Sequence, residues 1–119
     1  MAQILVVDDS TIIQRTLSLI IRKMGHQTVI AENGLRAIDM IAGNEIALAV
    51  VDMNMPGMNG LDLVEHIRSH ETDSHLPIVF LTGSGHASDQ ESAMELGVDG
   101  FLNKPVSSHE LREVINQLL

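Results

Sequence analysis

The chain contains no cysteine, tryptophan or tyrosine, and its two phenylalanines hold the aromatic content to 2% of 119 residues. Without thiols, disulfides and thiolate metal sites are excluded. A flavin site or a base-stacking platform usually wants more aromatic surface than two phenyl rings supply. Bases are scarce as well: seven Lys or Arg face sixteen Asp or Glu, a formal net charge of −9 with His neutral. The seven are scattered along the chain (Arg15, Arg22, Lys23, Arg36, Arg68, Lys104 and Arg112), so the basic footprint that nucleic-acid binding needs is missing. No apolar run approaches the length of a membrane span. The N-terminus lacks a basic lead and meets two aspartates at positions 8 and 9, which argues against a secretory signal. The default expectation is a cytoplasmic protein that contacts neither nucleic acid nor membrane.

What is present is a 45% hydrophobic chain of the usual length for one domain, with no linker or low-complexity stretch, so residues 1–119 are expected to form a single unit. Short apolar runs alternate with amphipathic segments, the pattern of βα units around a parallel sheet. Ile4 to Val7, Ile46 to Val51 and Ile78 to Leu81 are apolar throughout, as strands covered on both faces require. Gln27 to Ala31 is more polar and suits a position nearer an edge. Helical stripes recur at Ile13, Leu17, Ile20 and Met24, at Leu61, Val64 and Ile67, and at Leu111, Val114, Ile115 and Leu118. The segment from Ser88 to Leu96 is polar by comparison.

Thr11 with Gln14, Ser88 with Glu91 and Ser107 with Glu110 match the capping box. Gly25, Gly43 and Gly97 fall where helices should end in a left-handed residue. The expected architecture is a doubly wound (βα)5 sheet of the flavodoxin type, α/β in class, with strand order 2-1-3-4-5. That order sets strands one and three side by side at the topological switch point, where ligands of open α/β sheets bind.

Four apolar runs end in residues suited to phosphate chemistry: Asp8-Asp9 after the first, Asp52 after the third, Thr82 after the fourth and Lys104 after the fifth. Each has a plainer explanation when taken singly. Asp8, Asp9 and Ser10 favour helix caps, Asp52 precedes the Pro56-Gly57 turn, and Thr82 and Lys104 are ordinary strand-end residues. Their weight comes from occurring together.

Four motifs, Val7-Asp8-Asp9-Ser10, Asp52 to Gly60, Leu81-Thr82-Gly83 and Lys104-Pro105, occur in this order over the whole chain. In them the chain resembles the receiver domain of bacterial response regulators, the CheY-like fold. The resemblance implies that Asp52 is a phosphoacceptor, a carboxylate that takes a phosphoryl group as an acyl phosphate. It implies Mg²⁺ held by Asp9 and Asp52 directly, by Asp8 partly through water, and by the backbone carbonyl of Asn54. Lys104 is the implied second cation on the phosphoryl oxygens, in a cis Lys104-Pro105 bond, and Thr82 the hydroxyl that moves toward them. Phe101 stands where many members carry a switching aromatic, often tyrosine, and Val106 replaces a frequent phenylalanine. Asn54 and Ser84 occupy positions linked in the family to phosphoryl lifetime.

The implied role is that of an acceptor which helps to catalyse its own phosphorylation and dephosphorylation, not of an enzyme with separate substrates. The implied partners are a sensor histidine kinase or phosphotransfer protein upstream, and a protein target or an attached output domain downstream. Two rivals remain: a module of the same fold that signals without phosphorylation, and a metal-dependent phosphohydrolase with an aspartyl nucleophile. The sequence displays neither the extra acid/base nor the cap that such a hydrolase usually needs.

Other features admit two readings. His66 and His70 are spaced to share zinc, though exposed polar positions explain them and no third ligand is evident. Met53, Met55 and Met58 suit gap-filling or a soft contact surface. Gly83-Ser84-Gly85 reads as a hinge sooner than as a phosphate loop.

Overall fold

The computed structural model describes residues 2–55, 57–70, 75–83 and 87–119, with backbone alone at 87–90. Strands and helices alternate as β1 (Gln3–Val7), α1 (Thr11–Lys23), β2 (Gln27–Ala31), α2 (Gly34–Gly43), β3 (Leu48–Asp52), α3 (Gly60–Ser69), β4 (Ile78–Thr82), α4 (Ala87–Glu95), β5 (Gly100–Asn103) and α5 (Ser108–Leu118). All four strand pairings are parallel and the order is β2-β1-β3-β4-β5. The fold is therefore the expected α/β sheet, with β2 at an edge and β1 beside β3.

Alternation along the strands splits the core in two. Leu5, Val7, Ala49, Val51, Ile78 and Phe80 pack beneath α2 and α3 with Leu63, Val64 and Ile67. Ile4, Val6, Leu48, Val50, Val79 and Leu81 pack beneath α1 and α5 with Leu17, Ile21, Leu111 and Ile115. Both faces of β1, β3 and β4 are buried, which is why those runs carry no polar alternation before their last residue. Met53 and Met55 are buried in the first core and Met58 packs against it, so the methionines fill gaps.

Several local expectations shift by a residue or two. β3 begins at Leu48, and Ile46 lies before it, half-buried. The N-cap of α1 is Ser10, not Thr11: Ser10 is extended and its side chain accepts from the Ile13 N–H. Gln14, the expected capping partner, instead donates to the Asp8 carbonyl at 2.7 Å. Ser107 caps α5 as expected. Gly25 and Gly97 have φ of 91° and 77°, whereas Gly43 is an ordinary helical residue followed by extended Asn44. The helix around Ser88 starts at Ala87, and the Ser88 side chain lies outside the described residues. So do Pro56, Ser84 and Gly85.

Helix α4 is held differently from the others. Among its described side chains only Ala93 is fully buried, so apolar burial anchors it weakly. Its C-terminal end is instead gripped by Arg68 from α3. That guanidinium donates to the carbonyls of Leu76 (2.7 Å), Leu96 (3.3 Å) and Gly97 (2.8 Å) and pairs with Asp99 at 3.3 Å. Asp99 in turn accepts from the Ile78 N–H at 2.9 Å. Arg68→Ala is expected to destabilise the domain by about 1.5 kcal/mol, the scale of a hydrogen-bond set to one charged group. Urea unfolding checks it, and an unchanged midpoint would show the grip to be energetically idle.

Candidate functional site

The switch point between β1 and β3 places Asp8, the residue just past β1, beside Asp52, the last residue of β3. Ligand oxygens of Asp8, Asp9 and Asp52 all lie within 4.8 Å of one another. Asp8 is 0% and Asp52 2% exposed, while Asp9 is exposed at the rim. Lys104, just past β5, reaches across the strand ends to bring its Nζ 3.1 Å from Asp52 Oδ1 and 3.3 Å from Asp8 Oδ2. The peptide bond from Lys104 to Pro105 is cis.

Local backbone fixes one oxygen of each buried carboxylate. Ser10 N–H donates to Asp8 Oδ1 at 2.9 Å, and Asn54 N–H donates to Asp52 Oδ1 at 3.3 Å. Asp8 Oδ2 is buried and has no aligned hydrogen-bond donor among the described residues, although Lys104 lies within ion-pair distance. Among the described residues, three carboxylates face one ammonium, which leaves two negative charges uncompensated. A divalent cation fits that surplus and that orphaned oxygen, and Mg²⁺ in particular takes oxygen ligands. The donor set is therefore compatible with the metal.

The charges show in the acidities. Burial pushes the Asp52 carboxyl above its ordinary value of 3.8; Lys104 opposes this, while Asp8 adds to it. For Lys104, burial favours the neutral amine but is outweighed by Asp52 and Asp8, which hold its pKa above 10.5. The linkage sign for Asp52 follows: the folded chain holds this proton more tightly than the unfolded chain does. Stability thus falls as pH rises from about the unfolded value through the raised folded one. At neutral pH the ionised Asp52 carboxylate is a net cost to the fold.

Thr82 ends β4 and is 2% exposed. Its hydroxyl donates to Asn103 Oδ1 at 3.0 Å, and no hydrogen bond joins it to Asp52 or Lys104 among the described residues. Phe101 is half-buried, its ring centroid 6.4 Å from that of Phe80 and tilted by 37°. His66 and His70 stack at 4.7 Å on α3 but belong to no described cluster of three metal ligands.

Three contributors escaped the sequence reading. Gln14 ties α1 to the Asp8 backbone. Asn103 holds Thr82, and its only sequence signal is a polar residue at a strand end. Gly60 opens α3 so close to β3 that an added Cβ would lie 2.6 Å from the Asp52 carbonyl, 2.8 Å from Met53 Cα and 2.9 Å from Phe80. Its signal was a glycine directly after the cap Asn59, whose side chain accepts from the Asp62 N–H.

An open five-stranded parallel sheet with an acidic cluster and a lysine at its switch point defines a receiver-type α/β domain. A model of the response regulator receiver domain matches residues 4–116. The chain belongs to that family. It is 34% identical to a chemotaxis protein CheY homolog of Campylobacter jejuni, with 98% of this chain and 92% of that one covered. It is 33% identical to chemotaxis protein CheY1 of Helicobacter pylori, with 98% and 96% covered. Among solved structures, chemotaxis protein CheY4 of Vibrio cholerae superposes with a TM-score of 0.95 at 27% identity, over 100% of this chain and 99% of that one. A response regulator receiver protein from Pseudomonas putida gives 0.92 at 32% identity, over 98% and 96%.

Proposed function

We propose that residues 1–119 act as one phosphoacceptor switch, and that Asp52 takes a phosphoryl group from a sensor histidine kinase or phosphotransfer protein in the cytoplasm. The observation that carries this reading is Lys104 Nζ lying within 3.3 Å of both buried carboxylates, with Asp9 at the open rim. An Asp52 oxygen forms the new O–P bond as the P–N bond of phosphohistidine breaks. The electron pair returns to the imidazole nitrogen, which takes up a proton from solvent. Lys104 meets the charge on the equatorial phosphoryl oxygens, the main demand of such transfer. Mg²⁺, when held by Asp8, Asp9, Asp52 and the Asn54 carbonyl, neutralises further charge there.

Phosphorylation adds roughly −1.5 to −2 charges and strong acceptors. Thr82 turns its hydroxyl to one of them, which contributes about 1.5–3 kcal/mol. Reversing a 1:99 equilibrium takes about 5.5 kcal/mol, so Lys104 and repacking around Phe101 share the shift. Phe101 has no hydroxyl, so its part is packing alone. The surface of α4, β5 and α5 then changes its affinity for a downstream protein or an attached output domain.

The test is incubation with acetyl phosphate and Mg²⁺, followed by Phos-tag electrophoresis and hydroxylamine treatment. The expected product is a single hydroxylamine-labile modification. A chain that stays unmodified would favour a module signalling without phosphorylation, and sustained turnover of a small phosphoester would favour a hydrolase. The metal assignment has its own check. Mg²⁺ at ten times its Kd should stabilise the domain by about 1.4 kcal/mol, and Asp8→Asn should remove most of that gain. Thermal unfolding with and without Mg²⁺ reads it directly; equal gains in both chains would remove Asp8 from the metal site.

A further inference from the structure

We infer that Asn103 is a latch that holds the switch in its unphosphorylated arrangement by keeping the Thr82 hydroxyl turned toward β5. The inference rests on the acceptor reading and adds to it the residue that sets the resting equilibrium.

Register makes the contact. β4 and β5 pair so that Thr82 stands opposite Asn103, each the last residue of its strand, and the Lys104 N–H donates to the Thr82 carbonyl at 2.8 Å. The two side chains are thus fixed at the same height beside the pocket. The Thr82 hydroxyl is almost wholly enclosed, so it needs an acceptor, and Asn103 Oδ1 supplies one at 3.0 Å. A hydroxyl has one proton to donate. While that proton is given to Asn103 it is not available to a phosphoryl oxygen on Asp52.

Asn103 is itself exposed, on the sheet's edge strand. Its amide therefore acts through the hydroxyl it holds and not through packing. A net hydrogen bond of about 0.5–1.5 kcal/mol corresponds to roughly a two- to tenfold bias between the two Thr82 orientations. That is enough to tune a switch without locking it. Asn103 is a positioning residue, since it acts through Thr82.

Linkage supplies the experiment: whatever favours the released Thr82 must tighten binding of a phosphoryl group or its mimic by the same factor. The measurement is an NMR titration of fluoroberyllate in saturating Mg²⁺ against the wild-type chain, Asn103→Val, Thr82→Val and the double variant. Asn103→Val should bind the mimic two- to tenfold more tightly than wild type, and Asn103→Ala should reproduce the gain should valine disturb the strand end. On the Thr82→Val background, where there is no hydroxyl to release, Asn103→Val should change nothing. A merely structural role for position 103 would act equally in both backgrounds. Unchanged affinity in both Asn103 variants, or an equal gain on the two backgrounds, overturns the latch and leaves the acceptor reading standing. A wild-type chain that takes neither fluoroberyllate nor acetyl phosphate overturns both.

Discussion

Asp52→Asn is expected to cut phosphoryl uptake severely and at the same time to make the unphosphorylated domain more stable. The first effect follows from chemistry: an amide oxygen carries no charge to form an acyl phosphate, so the rate should fall by at least about a hundredfold. The second follows from burial. Asp52 is 2% exposed and sits within 4.8 Å of two further carboxylates. Its raised pKa means that the ionised form is harder to hold in the folded chain than in the unfolded one. Asparagine keeps an acceptor for the Asn54 N–H and removes the repulsion with Asp8, at the cost of part of the Lys104 pairing. The expected gain at neutral pH is about 1 kcal/mol, or a few degrees in Tm.

Because the penalty comes from ionisation, the gain should shrink as pH falls and a growing share of wild-type Asp52 takes up its proton. Phos-tag electrophoresis and thermal unfolding at several pH values measure the two effects separately. Retained labelling would remove Asp52 from the acceptor role. A lower Tm at neutral pH would mean that the Lys104 pairing outweighs burial and repulsion.

Gly60→Ala carries the largest expected structural penalty. Alanine is usually welcome in a helix, and at Gly43, which has no atom within 4 Å of an added Cβ, the same change should be neutral or slightly stabilising. At Gly60 the Cβ meets backbone at 2.6 Å and 2.8 Å, and backbone cannot rotate away as a flexible side chain can. The start of α3 must move off the end of β3, at a cost of about 2–3 kcal/mol or ~10 °C in Tm. The atom struck first is the Asp52 carbonyl oxygen, so Asp52, the proposed acceptor, moves as well. A displacement near 1 Å at a reacting group can cost about a hundredfold in rate. Acetyl phosphate labelling of the folded variant should therefore slow much more than its stability at the assay temperature explains. Normal stability in Gly60→Ala would mean that the close approach relaxes without cost.

Most of the fold was legible because a parallel sheet imposes a strong pattern. Strands buried on both faces must be apolar along their length, so β1, β3 and β4 stand out from the sequence to within two residues. The helix ends were read less well. Thr11 and Ser10 are both good caps, and choosing between them depends on where the chain leaves β1, which Asp8 settles by accepting the Ser10 N–H. Helix α4 gave no stripe because it is held by Arg68, a residue nearly thirty positions away, and a polar anchor of that kind leaves no periodicity behind.

By itself the sequence determined which chemical groups the protein owns and at which strand ends they fall, because residue type and apolar spacing are local properties of a chain. Tertiary structure alone decided how those groups act on one another. It placed Lys104 between two buried carboxylates, left Asp8 Oδ2 without an aligned donor among the described residues, raised the Asp52 pKa, turned Thr82 to Asn103 and left no free room for a Cβ at Gly60. Such effects change over tenths of an ångström between residues tens of positions apart. Those distances are set by strand register and helix packing, and no run of letters contains them.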